Sequence, residues 1–436
     1  QYYQIADDAS GRQFLRELRD AGLRGVRVRL LVDDLYGGGE DALLAGLAAL
    51  PGVEVRLFNP LPARAGSVAR RTVLSLHEFS RVNRRMHNKL LVADNAFAIS
   101  GGRNIADAYF ERSEPANFID MDVLSAGPVV ASMSAVFDTY WNSEQAYPIE
   151  ILAAADEQGE PALRSFDARV QKEGAALELG DGERDALGQP PVGAQLRQGK
   201  VELTLAPVRV VADSPAKAAQ LSGHREDGPV MRAKLELMQS ASKDVFLASP
   251  YVVPGEGGLQ AMRAVAQRVR VSLVTNSLAT TDEPLAHFGY SRYRAALLDM
   301  GVALYELMPR QLQAQAETSH GASVGRLHAK LAVVDGRWLT VGSMNMDRRS
   351  AHSNTEMLLI VDSPVLAGQA SALLQVQRLP HAYQLRAQGS GSEGRRLEWV
   401  AQQGEREVVF AREPALNWGR KLRLSVLSAM VDEELL

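Results

Sequence analysis

The chain says one thing twice, and few sequence features restrict a fold more. RRMHNKLLVADNAFAISGGRN, residues 84–104, aligns with RLHAKLAVVDGRWLTVGSMNM, residues 326–346. His87, Lys89, Asp94 and Asn104 stand at offsets 0, 2, 7 and 17, and His328, Lys330, Asp335 and Asn345 stand at the same offsets. With eight His and equally few Lys among 436 residues, His-x-Lys arises by chance about 0.15 times. Two matched copies therefore require two copies of one structural unit.

The repeat extends beyond the motif. A strand (QYYQI), a helical pattern (GRQFLRELRDAG), a strand (GVRVRLLVDD), a second helical pattern (EDALLAGLAAL) and a strand (GVEVRLFNP) lead into the first copy. From residue 244 the order recurs as DVFLASPYVVP, GGLQAMRAVAQ, VRVSLVTNS, YSRYRAALLDMG and VALYEL. After each motif come an acidic strand, FIDMDVLSAG or NTEMLLIVDS, and a closing helical pattern. Strands alternating with helical segments predict an α/β fold of two pseudo-symmetric lobes, each a mixed or parallel sheet flanked by helices. The lobes are expected at 1–150 and 229–379. Residues 151–228, rich in Gly, Pro, Glu and Asp, read as an insertion. Residues 380–436 read as an extension carrying a hairpin (RRLEWV, REVVFAR) and an amphipathic helix (LNWGRKLRLSVLSAMVDEELL). QYYQI looks like a strand entered midway, so upstream residues with any targeting signal are expected.

Composition narrows the chemistry. Without Cys there are no disulfides, thiolate metal sites or Cys nucleophiles. A net charge of −4 gives no overall basic field for nucleic acid. No apolar run reaches spanning length. HExxH, EF-hand loops and clustered carboxylates are missing from the sequence, so a metal-free, cofactor-free mechanism fits best.

On an extended chain, residues i and i+2 share a face, so each His projects beside its Lys. Asp94-Asn95 and Asp335-Gly336 are turn dipeptides, which place each Asp away from that pair in a local role. Gly101-Gly102 and Gly342-Ser343 permit close backbone approach where the chain enters a helix suited to an anion. Paired His/Lys sets suit a phosphodiester. Lys89 and Lys330 neutralise its oxygens, and Asn104 and Asn345 donate to them. One imidazole attacks phosphorus while the other protonates the departing oxygen and later acts as base. A carboxylate beside at least one His is expected, with Glu356 and Asp120 or Asp122 as candidates and Asp122 preferred.

These residues resemble the phospholipase D superfamily, whose signature is H-x-K-x4-D with a trailing G-(G/S)-x-N, normally in two copies. Closer in, the chain is similar to bacterial cardiolipin synthases of the C type through QYYQIADDASG, VEVRLFNP, RRMHNK, GGRNIADAYF, NSLATTDEPLAHFGYSRYR, GSMNMDRRS with NTEM, and REVVFAREPA. That match runs nearly end to end. The first copy lacks a counterpart to RRS after Asn104, and its acidic strand lies further downstream.

The resemblance implies an active site at the lobe interface and a location at the periphery of a bacterial membrane. It implies that phosphatidylethanolamine donates a phosphatidyl group to a catalytic His, and that phosphatidylglycerol accepts it to form cardiolipin. By analogy His87 is the nucleophile and His328 the acid/base, an order that pseudo-symmetry alone leaves open. His287, Tyr290 and Arg294 share a helical face, read equally as solvated or as a headgroup contact. Arg85, with Arg70, Arg71, Arg81 and Arg84, forms either a basic rim or a solvated loop. Trp418, Arg420, Lys421 and Arg423 are expected to meet anionic headgroups. The alternatives are a hydrolytic phospholipase D, including a toxin, and a nuclease of the same superfamily, which the balanced charge disfavours.

Overall fold

Val28–Asp33 is buried at five of its six positions because a parallel strand is covered on both faces. The computed structural model describes residues 1–36, 41–64, 66–153, 159–171, 190–219, 227–309, 324–376, 381–388 and 396–415. Val28–Asp33 runs parallel to Val53–Phe58 after the crossover helix Asp41–Ala48. Ala146–Pro148 closes that sheet antiparallel. The first motif lies in an antiparallel set of Leu90–Ala93, Phe97–Gly101 and Asp122–Ala126. Gln1 and Tyr2 join the two sheets: Leu90 N–H donates to the Gln1 carbonyl (2.8 Å) and Tyr2 N–H to the Leu31 carbonyl (3.0 Å). QYYQI therefore supplies the bonds of a central strand, but as isolated bridges rather than a continuous strand.

In the second half the equivalent strands form one sheet. Asp244–Ala248 lies parallel to Arg270–Asn276 on one side and antiparallel to Leu331–Val334 on the other. Ala303–Leu307 continues one flank; Trp338–Gly342 and Met357–Asp362 continue the other. The expected boundaries at 228 and 379 cut through this sheet. Val208–Ala212, assigned to the insertion, pairs with Met357–Asp362. Ala382–Gln388, assigned to the extension, pairs with Ala303–Leu307 and carries the hairpin Arg396–Gln403 and Arg406–Phe410. Both flanks cover what would be bare sheet edges. The expected C-terminal helix, with Trp418, Arg420, Lys421 and Arg423, lies outside the described residues.

The halves share a core. One cluster takes in Leu31, Phe58, Met86 and Leu90 from the first half and Phe246, Leu327, Leu331 and Leu359 from the second. Two backbone crossings accompany it. Ala116–Ile119 pairs in parallel with Val324–Leu327, the residues just before His328. Met86 bridges Thr355, and His87 N–H donates to the Thr355 carbonyl at 2.9 Å. Each histidine is thus delivered beside the acidic segment of the other half.

Candidate active site

The turns fix where each motif begins and ends. Asp94 and Asn95 have φ of 54° and 52°, and Asp335 and Gly336 have φ of 55° and 64°, the conformation a two-residue hairpin turn needs. Asp94 is exposed at its turn. Asp335 accepts from the backbone of Ser242 (2.9 Å), Lys243 (2.7 Å) and Asp244 (3.1 Å), tying the turn to the start of a central strand. Both aspartates stand at the far end of their strands from the histidines, and Asp335 bonds locally there.

The other motif residues converge. His87, Lys89, Asn104, His328, Lys330 and Asn345 are all buried, between 2% and 7% exposed. Each His/Lys pair immediately precedes its strand. There the Lys89 ammonium donates to the His87 carbonyl and the Lys330 ammonium to the His328 carbonyl, both at 2.6 Å. Asn104 Nδ2 donates to the Tyr109 hydroxyl (3.0 Å), which lies 3.4 Å from His328 Nε2. The amide oxygens of Asn104 and Asn345 are buried with no partner among the described residues.

The carboxylates are exchanged between halves. His87 Nδ1 lies 2.9 Å from Glu356 Oε2, and His328 Nδ1 lies 2.6 Å from Asp120 Oδ2. Each contact occupies Nδ1 and leaves Nε2 for chemistry. Asp122, the residue preferred from sequence, is turned away. Its carboxylate accepts from the Arg103 backbone (3.2 Å) and guanidinium (3.3 Å). The expectation failed because the chain breaks its strand at Asp120 and Met121, so the two aspartates part.

The small residues after each hairpin make room for these acids. A Cβ on Gly102 would fall 2.1 Å from Asp120 Oδ1, and one on Gly101 2.1 Å from Asp122 Oδ1. In the second half the place of Gly102 is taken by Ser343, whose hydroxyl donates to Glu356.

Electrostatics separates two near-equivalent imidazoles. Burial and then the neighbouring Lys89, Lys330 and His328 hold His87 well below the ordinary imidazole value, which keeps it neutral. Burial and Lys330 also lower His328, but the Asp120 carboxylate opposes them. Burial pushes Asp120 up, yet its contact with His328 and the charges of Lys330 and Arg103 win and hold it at about 2. Burial raises Glu356 to about 7, against the pull of Lys89 and Ser343. The lysines fall, mainly through burial, to about 7 for Lys89 and about 8 for Lys330. A phosphate monoanion entering this site would restore their charge.

The residues expected to bind substrate lie elsewhere. His287, Tyr290 and Arg294 are buried in a saturated network rather than facing a headgroup. Arg294 donates to Glu306 (2.8 Å) and Glu413 (2.6 Å), the Tyr290 hydroxyl and Trp399 indole donate to Glu306 (both 2.9 Å), and His287 Nε2 lies 2.6 Å from Glu413. The helical face is real, but it pins residues 396–415 to the second half. His287, Glu306 and Glu413 also form the grouping close enough to ligate an ion among the described residues, and the Arg294 guanidinium fills it. Arg85 is equally committed. It pairs with Asp33 (2.8 Å) and donates to the carbonyls of Val82, Phe58 and Asn59, which fixes the approach to His87.

Three aromatic residues were missed. Tyr3 packs edge-on against His87 with ring centroids 5.0 Å apart, and Tyr109 and Phe118 flank His328 at 5.1 and 5.0 Å. Tyr109 had a signal: it follows Asn104 by five residues, as Ser350 follows Asn345, and the Ser350 hydroxyl accepts from Asn345 N–H at 3.3 Å.

Residues 1–141 and 235–376 match the family model described as cardiolipin synthase, PLD-like domain. The chain is similar to cardiolipin synthase C of Escherichia coli, 35% identical over 449 residues that span 100% of this chain and 90% of that protein. It is also similar to cardiolipin synthase B of Salmonella typhimurium, at 28% over 360 residues, 82% of this chain and 68% of that protein. Among solved structures, phosphatidylserine synthase of Haemophilus influenzae shares the fold, with a TM-score of 0.51 over 88% of each chain at 13% identity.

Proposed function

The chain belongs to the cardiolipin synthase, PLD-like domain family, and from that premise we propose that it moves a phosphatidyl group from phosphatidylethanolamine to phosphatidylglycerol through a phosphohistidine at His87. The observation that carries the reading is the crossed pair of imidazole–carboxylate contacts, which frees two Nε2 atoms in one buried, lysine-lined site.

The neutral His87 donates its Nδ1 proton to Glu356 and attacks phosphorus through Nε2. The P–O bond to ethanolamine breaks, and His328 Nε2 gives its proton to the departing oxygen. In the second step a glycerol hydroxyl of phosphatidylglycerol passes its proton to His328 as its oxygen bonds to phosphorus. The P–N bond breaks, returning the electron pair to His87 Nε2, and Glu356 gives the proton back to His87 Nδ1. Lys89, Lys330, Asn104 and Asn345 surround the oxygens where charge builds. Asp120, ionised throughout, favours the imidazolium form of His328 that the first step consumes.

The lipid substrates imply work at a membrane surface. No helix among the described residues is long and apolar enough to cross a membrane. The helix Val68–Leu74 and the turn after it, which lead toward His87, expose Val73 (63%), Leu74 (50%), Leu76 (52%) and Phe79 (39%). Apolar side chains beside Arg70 and Arg84 suit shallow contact with an anionic bilayer, and peripheral association through this segment is part of the proposal.

The test is lipid mass spectrometry after incubation with vesicles of phosphatidylethanolamine and phosphatidylglycerol. Cardiolipin and free ethanolamine that disappear in both His87→Ala and His328→Ala support the reading. Phosphatidic acid without cardiolipin would make water the acceptor and replace it with the hydrolytic one.

A further inference from the structure

Arg349 stands outside the two-fold arrangement of the site. It follows Asn345 by four residues, where the first half has Ala108 four residues after Asn104. Its backbone is firmly held. The helix Arg348–His352 opens on Asp347, whose carboxylate accepts from Ser350 N–H at 2.7 Å. The Arg349 carbonyl accepts from the N–H groups of Ser353 (2.9 Å) and Asn354 (2.8 Å), and the Asn354 side-chain oxygen accepts from Arg85 N–H at 3.2 Å. Arg349 is thereby tied to the segment that delivers His87.

Its side chain is less committed among the described residues. Arg349 is half-buried, and its Nε is buried with no hydrogen-bond partner among the described residues. A buried donor left unpaired in a finished fold asks for a ligand to complete it. The charge of Arg349 is felt by His87, Tyr3, Tyr36 and Glu283. These residues include the reacting imidazole and the exposed Glu283, so the half-buried guanidinium is within electrostatic reach of both the sealed centre and the surface.

The proposed reaction needs something there. Its acceptor brings a phosphodiester of its own, one glycerol length from the hydroxyl that attacks. The duplicated Lys and Asn pairs are occupied by the reacting phosphorus, so this second anion must be met outside them. Groups that serve the phosphorus in both steps come in two copies; a group for a ligand that enters only in the second step needs one.

We propose that Arg349 binds the phosphodiester of the acceptor lipid, forming a second anion subsite on one side of the active site. The inference rests on the transferase reading. A planar guanidinium meets two phosphate oxygens at once, which a lysine ammonium does not reproduce. The subsite selects an anionic glycerol lipid over free glycerol or water, because neither of those carries a phosphate.

The experiment compares phosphatidylglycerol with free glycerol as acceptor, using the full chain and phosphatidylethanolamine vesicles, for the wild type, Arg349→Ala and Arg349→Lys. The expected result in Arg349→Ala is a fall of about 10-fold or more in the ratio of kcat/KM for phosphatidylglycerol to that for glycerol, through KM for phosphatidylglycerol. Phosphatidic acid rises relative to cardiolipin, and Arg349→Lys lies between. Glycerophosphoglycerol, which keeps the phosphate without the acyl chains, competes with phosphatidylglycerol in the wild type and loses that potency in Arg349→Lys. An unchanged ratio, with equal losses for both acceptors, would overturn the subsite and place Arg349 on the reacting phosphorus. A wild type that yields phosphatidic acid alone would overturn the transferase reading, and the subsite with it.

Discussion

Glu356 lies 2.9 Å from the Nδ1 of His87 although 269 residues separate them in sequence. The reciprocal contact, Asp120 to His328, spans 208 residues. Neither imidazole is oriented by an acid from its own half, so the site exists only where the halves meet.

His87 and His328 are expected to differ as nucleophile and acid. His87→Ala and His328→Ala should each lower turnover by about 10³-fold or more. Rapid acid quench followed by peptide mass spectrometry should find phosphatidyl adduct on the His87 peptide in the wild type. A label on His328 instead would reverse the roles.

The two carboxylates should govern opposite sides of the pH profile. Glu356 is raised to about 7. Only its ionised form accepts the Nδ1 proton of His87, so activity rises with pH through about 7, and Glu356→Gln should flatten that rise. Asp120 favours the charged forms of His328, Lys330 and Lys89. Asp120→Asn lowers their proton affinity, so the decline at high pH should move to lower pH. Steady-state rates across the pH range of the folded enzyme check both shifts, and an unmoved profile in either variant would contradict the assignment.

Gly102→Ala should damage the site through its neighbour. The added methyl group would sit 2.1 Å from Asp120 Oδ1. Relieving it must displace the carboxylate, at about 1–3 kcal/mol of stability, with activity falling as His328 loses its partner. Ser343→Ala changes no such volume and should cost about 1–2 kcal/mol for the bond to Glu356. Chemical denaturation separates the two effects from the kinetic ones.

Arg294 is expected to matter for folding rather than for substrate. Arg294→Ala leaves Glu306 buried and uncompensated, a loss of about 3–5 kcal/mol. The unfolding midpoint should drop while KM for either lipid in the remaining folded enzyme stays unchanged. A raised KM at unchanged stability would restore the headgroup role read from the helical face.

The exposed apolar segment gives a separate test. Replacing Leu74, Leu76 and Phe79 by Ser should weaken binding to anionic vesicles by about 10-fold or more. Turnover of a short-chain, water-soluble substrate should be preserved. Vesicle flotation reads the first quantity, and an unaltered floated fraction would place the membrane contact elsewhere.

Much of this was legible in the chain. The strand-turn-strand around each Asp followed from turn dipeptides, and the convergence of His87, Lys89, His328 and Lys330 followed from duplication. What could not be read was which long-range contact each local face makes. His287, Tyr290 and Arg294 do share a face, but only the fold reveals that Glu306, Trp399 and Glu413 meet it. Asp120 and Asp122 likewise look interchangeable until the break between their strands separates them. Arg85 sits in a basic run, yet Asp33 and three carbonyls remove it from the surface.

By architecture the two imidazoles are nearly equals, and something must decide which one attacks. Asp120 is one methylene shorter than Glu356, and a bare glycine stands beside it where Glu356 has the Ser343 hydroxyl. The shorter acid stays ionised; the longer one, raised to about 7, is the stronger base and can take up a proton. In the proposed reaction a difference of one carbon and one hydroxyl breaks the tie, and it would give an almost symmetric pair of lobes a front and a back through which phosphorus passes in a single direction.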